Sequence, residues 1–252
     1  MMPNFDLNGR VALVTGASGG LGRHFAGVLA RQGARVVVAA RRTELLDEVV
    51  AALETKGAAV ECDVTEGASV ARAVAASFDK FGRLDILVNN AGIAVVKPVL
   101  EHSEEDWDRV LDTNLKGAWL MAREVAAHWI KAREGGRIIN IASLLATRTI
   151  RSIPSYCAAK AGLAHLTHTL AVEWARRGIT VNALAPGYFE TDINRDFLRG
   201  TEGQALISRI PMGRAGQPED LDGALLLLSS EAGAYITGAV IPVDGGHAQS
   251  LV

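Results

Sequence analysis

Cysteine is scarce: the 252 residues contain two, Cys62 and Cys157. They stand far apart and belong to no CxxC or Cys/His cluster. Neither a disulfide framework nor a zinc site is suggested, no metal ligands are expected, and a reducing, cytoplasmic setting is the natural reading. Charge of one sign is missing too. Lys+Arg number 26 and Asp+Glu 28, a formal net charge of -2, which argues against binding that rests on a strongly basic or acidic surface, nucleic acid above all. No stretch approaches the ~20 apolar residues of a membrane span. The opening MMPNFDLNGR has no basic region followed by an apolar run, so no export signal is expected. Linkers, repeats, low-complexity tracts and shifts of composition are absent as well, so nothing marks a second domain.

What is present is apolar: 49% of the residues are hydrophobic, enough for one sizeable core. Seven short β-branched runs recur along the chain, at 10–15, 35–40, 58–62, 85–90, 136–143, 179–186 and 239–244. Most are apolar on both faces instead of alternating, the pattern of a parallel sheet covered by helices on each side. Helical patterns lie between them. GLGRHFAGVLARQG and LLDEVVAALETKG each end at glycine, and HSEEDWDRVLDTN opens with Ser103 followed by acids that suit a helix N-terminus. The expectation is a single Rossmann-type α/β domain over residues 1–252, a doubly wound, seven-stranded parallel sheet with helices on both faces. The least regular stretch, about 188–217, follows the sixth run and is expected to shape a substrate site.

TGASGGLG (15–22) joins the first strand to the first helix, with Gly16, Gly20 and Gly22 at a G-xxx-G-x-G spacing. Glycine allows a tight turn and close backbone approach, and the following helix N-terminus offers free amides to a pyrophosphate. The spacing differs from G-x-G-x-x-G and points to a variant dinucleotide fold. An acid about 20 residues beyond such a loop would hold ribose hydroxyls and repel a 2′-phosphate. Here the second strand ends in AARR: Ala40 leaves that place empty, while Arg41 and Arg42 suit a phosphate. NADP(H) is therefore preferred, with NAD(H) possible. CDV (62–64) and NNAG (89–92) end the third and fourth strands. Asp63 there could accept from an adenine amino group and Asn90 border its ribose, or either could simply form a turn.

In SYCAAKAG (155–162), Tyr156 and Lys160 lie one helical turn apart on one face. An ammonium at ~4 Å in an effective dielectric of ~20 contributes roughly 4 kcal/mol, enough to lower a phenol pKa of ~10 by about 3 units. By itself the pair is better read as two polar side chains on a helix surface. Arg148 and Arg151, in LLATRTIRSIP (144–154), would face an anionic substrate or only solvent.

TGASGGLG, NNAG, Asn114 in DTNLKG, Ser143 in INIAS, YCAAK and PGYFET occur in the order and spacing of the short-chain dehydrogenases/reductases, and the chain resembles that family from about residue 10 to the closing VDGG (243–246). The resemblance implies an NADP(H)-dependent oxidoreductase that interconverts a carbonyl and a secondary alcohol. Its implied catalytic residues are Asn114, Ser143, Tyr156 and Lys160. Tyr156 would be the general acid/base, Lys160 would lower its pKa and bond the nicotinamide ribose, Ser143 would polarise the substrate oxygen, and Asn114 would kink its helix and keep a water in the proton relay. The implied cofactor residues are Gly16, Ser18, Gly20, Leu21, Gly22, Arg41, Arg42, Asp63, Val64, Asn90, Tyr156, Lys160, Gly187, Phe189 and Thr191. Many NADP-dependent relatives carry a basic residue in the glycine loop; this chain has Gly19, so phosphate selection would rest on the two arginines. Implied substrates are a 3-oxoacyl thioester, since VEWARRGITVNALAPG is similar to the 3-oxoacyl-[acyl-carrier-protein] reductases and Arg133, Arg176 and Arg177 could meet an acidic carrier, or a small ketone, sugar or polyol. A homotetramer through the helices at 104–133 and 154–177 and the C-terminal region is implied as well. From another class, a non-catalytic NADP(H)-binding sensor or scaffold could use the same fold.

Overall fold

The computed structural model describes residues 5–190 and 195–250. Seven strands, β1 (Val11–Thr15), β2 (Arg35–Ala40), β3 (Gly57–Glu61), β4 (Ile86–Asn89), β5 (Gly136–Ile141), β6 (Ile179–Pro186) and β7 (Val240–Val243), pair parallel throughout in the order β3-β2-β1-β4-β5-β6-β7. The chain starts mid-sheet, winds out to β3, then returns to β4 on the other side of β1. The β1/β4 boundary is thus the point where strand order reverses and a crevice opens beyond the carboxyl ends of the strands.

The uninterrupted apolar runs have a simple cause. Ala12, Val14, Val36 and Val38 enter one buried cluster with α1 (Gly20–Arg31), α2 (Thr43–Ala51) and α9 (Asp222–Ser229). Their neighbours Val11, Leu13, Val37 and Ala39 enter another with α3 (Gly67–Phe81), α5 (Gly117–Ala132) and α6 (Pro154–Trp174). Both faces of each strand are buried, so neither face is polar. Ahead of α5 stands α4 (Glu104–Leu111), which opens with a capping box in which Asp106 N donates to Ser103 Oγ at 3.0 Å. The short helices α7 (Arg195–Arg199) and α8 (Thr201–Ile207) lie within the irregular segment after β6.

One expectation fails at the second helix. It ends at Ala51, not at glycine, and Gly57 instead opens β3, where a Cβ would come within 2.6 Å of Leu53 Cδ1. This glycine answers to close helix–strand packing, not to a helix cap. The fifth strand ends at Ile141, two residues earlier than expected, which leaves Ala142 and Ser143 beyond the strand's end. Among the described residues, no helix is long and apolar enough to cross a membrane.

Candidate active site

The glycine loop is held open by its neighbours. Gly16 has φ +64° and Gly20 φ +53°, conformations that favour glycine. Gly22 serves packing: a Cβ there would stand 2.4 Å from the Gly16 oxygen and 2.5 Å from Asn90 Nδ2. That Asn90 amide donates to the carbonyls of Thr15 (3.0 Å) and Gly16 (3.2 Å), while the Asn90 and Ala91 amides donate to Thr15 Oγ1. Asn90 is therefore a brace for the loop. Leu21 is half-buried against the cluster of α1. At the helix start, Gly19 makes no side-chain cap and the first turn holds no acid, so among the described residues no side chain claims the first amides of α1. These features fit a pyrophosphate.

At the end of β2, Arg41 and Arg42 are both exposed, and Arg42 Nη2 donates to Ser18 Oγ at 3.3 Å. A guanidinium and a hydroxyl thus stand together where an acid would exclude phosphate. Asp63 is partly committed: its Oδ1 accepts from Thr65 N (3.0 Å) and Thr65 Oγ1 (2.8 Å), the turn-forming alternative. Val64 is buried against Gly117, where a Cβ would approach it to 2.8 Å. Gly187 N donates to the Val243 carbonyl, and Phe189 is buried with its ring over Gly216. Thr191 lies outside the described residues.

Ser143, Tyr156, Lys160 and Asn114 come together at the same edge. Ser143 is buried past β5, and its Oγ accepts from Leu145 N at 3.1 Å. Pro154 occupies the first helical position of α6 and sets the face that carries Tyr156 and Lys160. Lys160 is 4% exposed; its Nζ donates to the Ile141 carbonyl at 2.7 Å and stands 5.6 Å from the centre of the Tyr156 ring. Burial pushes this ammonium down to about 8. The Tyr156 phenol is shifted up, chiefly by burial, against a hydrogen bond with Ser143 that draws it down. The expected lowering by about 3 units is thus overturned: that figure needs the ammonium ~4 Å from the hydroxyl, whereas Lys160 faces the ring and spends a proton on a main-chain carbonyl.

Asn114 sits in a π-helical turn, Asp112–Lys116, between α4 and α5, which is the expected interruption of the helix. Its side chain is spent in both directions on one residue, Oδ1 accepting from Ile93 N and Nδ2 donating to Ile93 O, each at 2.8 Å. The amide pins the segment after β4. Gly92 lies between, where a Cβ would sit 3.4 Å from Asn114 Oδ1 and 3.6 Å from Lys160 Nζ.

Sequence reading missed the supports beneath the site. Asn89 Nδ2 donates to Asn140 Oδ1 (2.9 Å), Asn140 Nδ2 to Thr167 Oγ1 (2.9 Å), and Thr167 to the Leu163 carbonyl (2.8 Å), a buried chain from β4 through β5 to α6. The available signal was an asparagine inside each apolar run, ILVN and RIINI. Arg133, Arg176 and Arg177 lie where α5 and α6 return to the amino ends of β5 and β6, on the order of 20 Å from Ser143 along the strands. Among the described residues no group of three or more His, Cys, Asp or Glu could hold a metal ion.

A family model described as enoyl-(acyl carrier protein) reductase matches residues 16–248. The chain is 40% identical over 249 residues to the 2-dehydro-3-deoxy-D-gluconate 5-dehydrogenase of Dickeya dadantii (strain 3937), with 98% of each chain covered. It is 38% identical over 241 residues to a 3-oxoacyl-[acyl-carrier-protein] reductase of Vibrio cholerae, covering 96% of this chain and 98% of that one. A solved gluconate 5-dehydrogenase from Burkholderia cenocepacia J2315, in complex with NADP and tartrate, superposes with a TM-score of 0.93 at 36% identity and 99% coverage of both.

Proposed function

We propose, for a chain that belongs to the short-chain dehydrogenase/reductase family, the NADP(H)-dependent reduction of a hydroxylated ketone, a sugar, sugar acid or polyol precursor, to its secondary alcohol, and the reverse oxidation. That the protein is an oxidoreductase acting on CH–OH groups follows from the family. Bound NADPH supplies the hydride. The residues do the rest: the loop Gly16–Gly22 and the free amides of α1 hold the pyrophosphate, and Arg41, Arg42 and Ser18 take the 2′-phosphate. Ser143 Oγ donates to the substrate oxygen and polarises it. Tyr156, kept protonated by burial, delivers its proton to that oxygen as charge develops, and Lys160 holds the ribose and steadies the phenolate left behind. Residues 188–190 and 195–217 border the substrate.

The observation that carries this reading is the burial of Lys160 beside Tyr156 and Ser143. A binding module would be served by the glycine loop alone, and a buried ammonium would then cost stability for no return. The test is NADPH oxidation against a panel of ketoses, oxo acids and a 3-oxoacyl thioester. Cofactor binding with no turnover on any member would leave the sensor reading standing. A 3-oxoacyl thioester is the second reading, supported by the exposed apolar residues Val96, Ile150 and Met212 on the loops beyond the strands and by the Vibrio relative.

Cofactor preference has its own check. Arg41→Ala and Arg42→Ala are each expected to raise the KM for NADPH about 10- to 100-fold, the loss of one charge-assisted contact, and that for NADH less than 3-fold; equal effects on both cofactors would overturn the assignment. The reading also includes a homotetramer. Its support is the outer face of α5 and α6, where Trp119 and Val172 are exposed beside a groove of about 490 Å³ lined by Leu115, Trp119 and Leu166. Trp119→Glu is expected to lower the assembly mass in sedimentation.

A further inference from the structure

Three segments that hydride transfer leaves unused meet beside Tyr156: the turn after Ser143, Tyr188 beyond β6, and the C-terminal turn 244–250. That last turn is firmly built. Asp244 accepts from Gly246 N (2.9 Å) and Ala248 N (2.7 Å), and Met212 N donates to the Gly245 carbonyl (3.1 Å). Arg148 Nε donates to the Ala248 carbonyl at 2.5 Å, which ties the C-terminal turn to the turn that starts at Ser143. A loop arginine that merely met solvent would have no such anchor one hundred residues away. Its terminal nitrogens face no carboxylate among the described residues, and Asp244 is occupied by main-chain amides.

His247 stands next to that anchor. Its ring lies 5.7 Å from the ring of Tyr188, and Tyr188 is near enough to Tyr156 to help push its phenol up. Nδ1 of His247 is shut away from solvent with no hydrogen-bond partner. Buried N–H groups without acceptors are rarer than buried lone pairs without donors, so the ring proton belongs on Nε2 and the imidazole presents a donor there. A guanidinium held at the Ala248 carbonyl and the imidazole N–H of the residue before it supply donors that match a carboxylate in number.

We propose that Arg148 and His247 form a subsite for the carboxylate of the substrate, which makes the physiological carbonyl compound an oxo acid with its anionic end across from the carbonyl at Ser143 and Tyr156. This rests on the dehydrogenase reading above but can be read without turnover. With NADP+-loaded enzyme, calorimetry should show D-gluconate binding at least 10-fold more tightly than D-glucitol. Arg148→Gln, whose amide can still reach the Ala248 carbonyl, should abolish that preference, and His247→Ala should weaken gluconate about 5-fold with rescue by His247→Asn. Equal affinity for the acid and the polyol, or an equal loss of both in Arg148→Gln, would overturn the subsite. In kinetics, 5-oxo-D-gluconate should be reduced with a lower KM than L-sorbose, which carries CH2OH in place of the carboxylate. Turnover of both without that difference sinks the subsite alone. Gluconate preference with no turnover on any ketone sinks the hydride-transfer reading and leaves the subsite standing.

Discussion

Replacing Tyr156 by phenylalanine is expected to lower kcat for ketone reduction about 1,000-fold, within the range that a positioned general acid contributes, while the Kd for NADPH, read by fluorescence titration, stays within 2-fold. The separation follows from position. The phenol hydroxyl meets Ser143, whereas the proposed phosphate site is the glycine loop and the α1 amides, and Lys160 keeps its bond to the Ile141 carbonyl in the variant. The protein should also fold normally, because phenylalanine fills the same space between the Ile93–Leu115 and Leu144–Ile153 clusters. Residual turnover above a tenth of wild type would show that another group delivers the proton. Nearby candidates are few: Tyr188 and Cys157 are the other titratable groups that act on Tyr156.

Lys160→Met is expected to remove turnover and yet stabilise the fold, by about 2 kcal/mol at pH 7. Burial holds the ammonium down to about 8 against an ordinary 10.5, so the folded protein carries a charge at neutral pH at a cost of about 3 kcal/mol. Loss of the bond to the Ile141 carbonyl returns about 1 kcal/mol. The pH dependence has a definite sign. Between about 8 and 10.5 the unfolded chain binds the proton that the folded one has released, so wild-type stability gains relative to the variant as pH rises through that window. The advantage of Lys160→Met should therefore be full below pH 8 and fade by pH 10.5, as measured by urea midpoints of both proteins at matched pH. A variant that is less stable than wild type at pH 7 would mean that the ammonium is paired better than the structure indicates. A lysine retained against such a penalty is what a stability–activity trade-off looks like at one residue.

Much of the architecture was legible because burial on both faces leaves a direct mark on composition. Strands such as RVALVT and RVVVAA carry no polar alternation, and all seven appear in the sheet within two residues of their expected limits. The glycine loop and the Ser103 cap were equally readable, since a positive φ and an orphan amide each demand particular residue types at a particular place. Gly57 was misread for the converse reason: a glycine in sequence does not say whether it serves a turn, a cap or a close contact.

The site divides the same way. Sequence by itself determined which chemical groups are present and in what order along the chain: a phosphate-binding turn, two arginines in place of an acid, a hydroxyl, a phenol and an amine. Local spacing was enough for these, because each motif is complete within a few residues. Tertiary structure decided what those groups do to one another. It turned Lys160 toward a ring and a main-chain carbonyl, spent the Asn114 and Asn90 amides on the backbone of other segments, carried Arg133, Arg176 and Arg177 to the amino ends of the strands, and tied Arg148 to the turn that carries His247. Ionisation and hydrogen-bond partners depend on distance and burial, which are set by contacts between residues tens to a hundred positions apart.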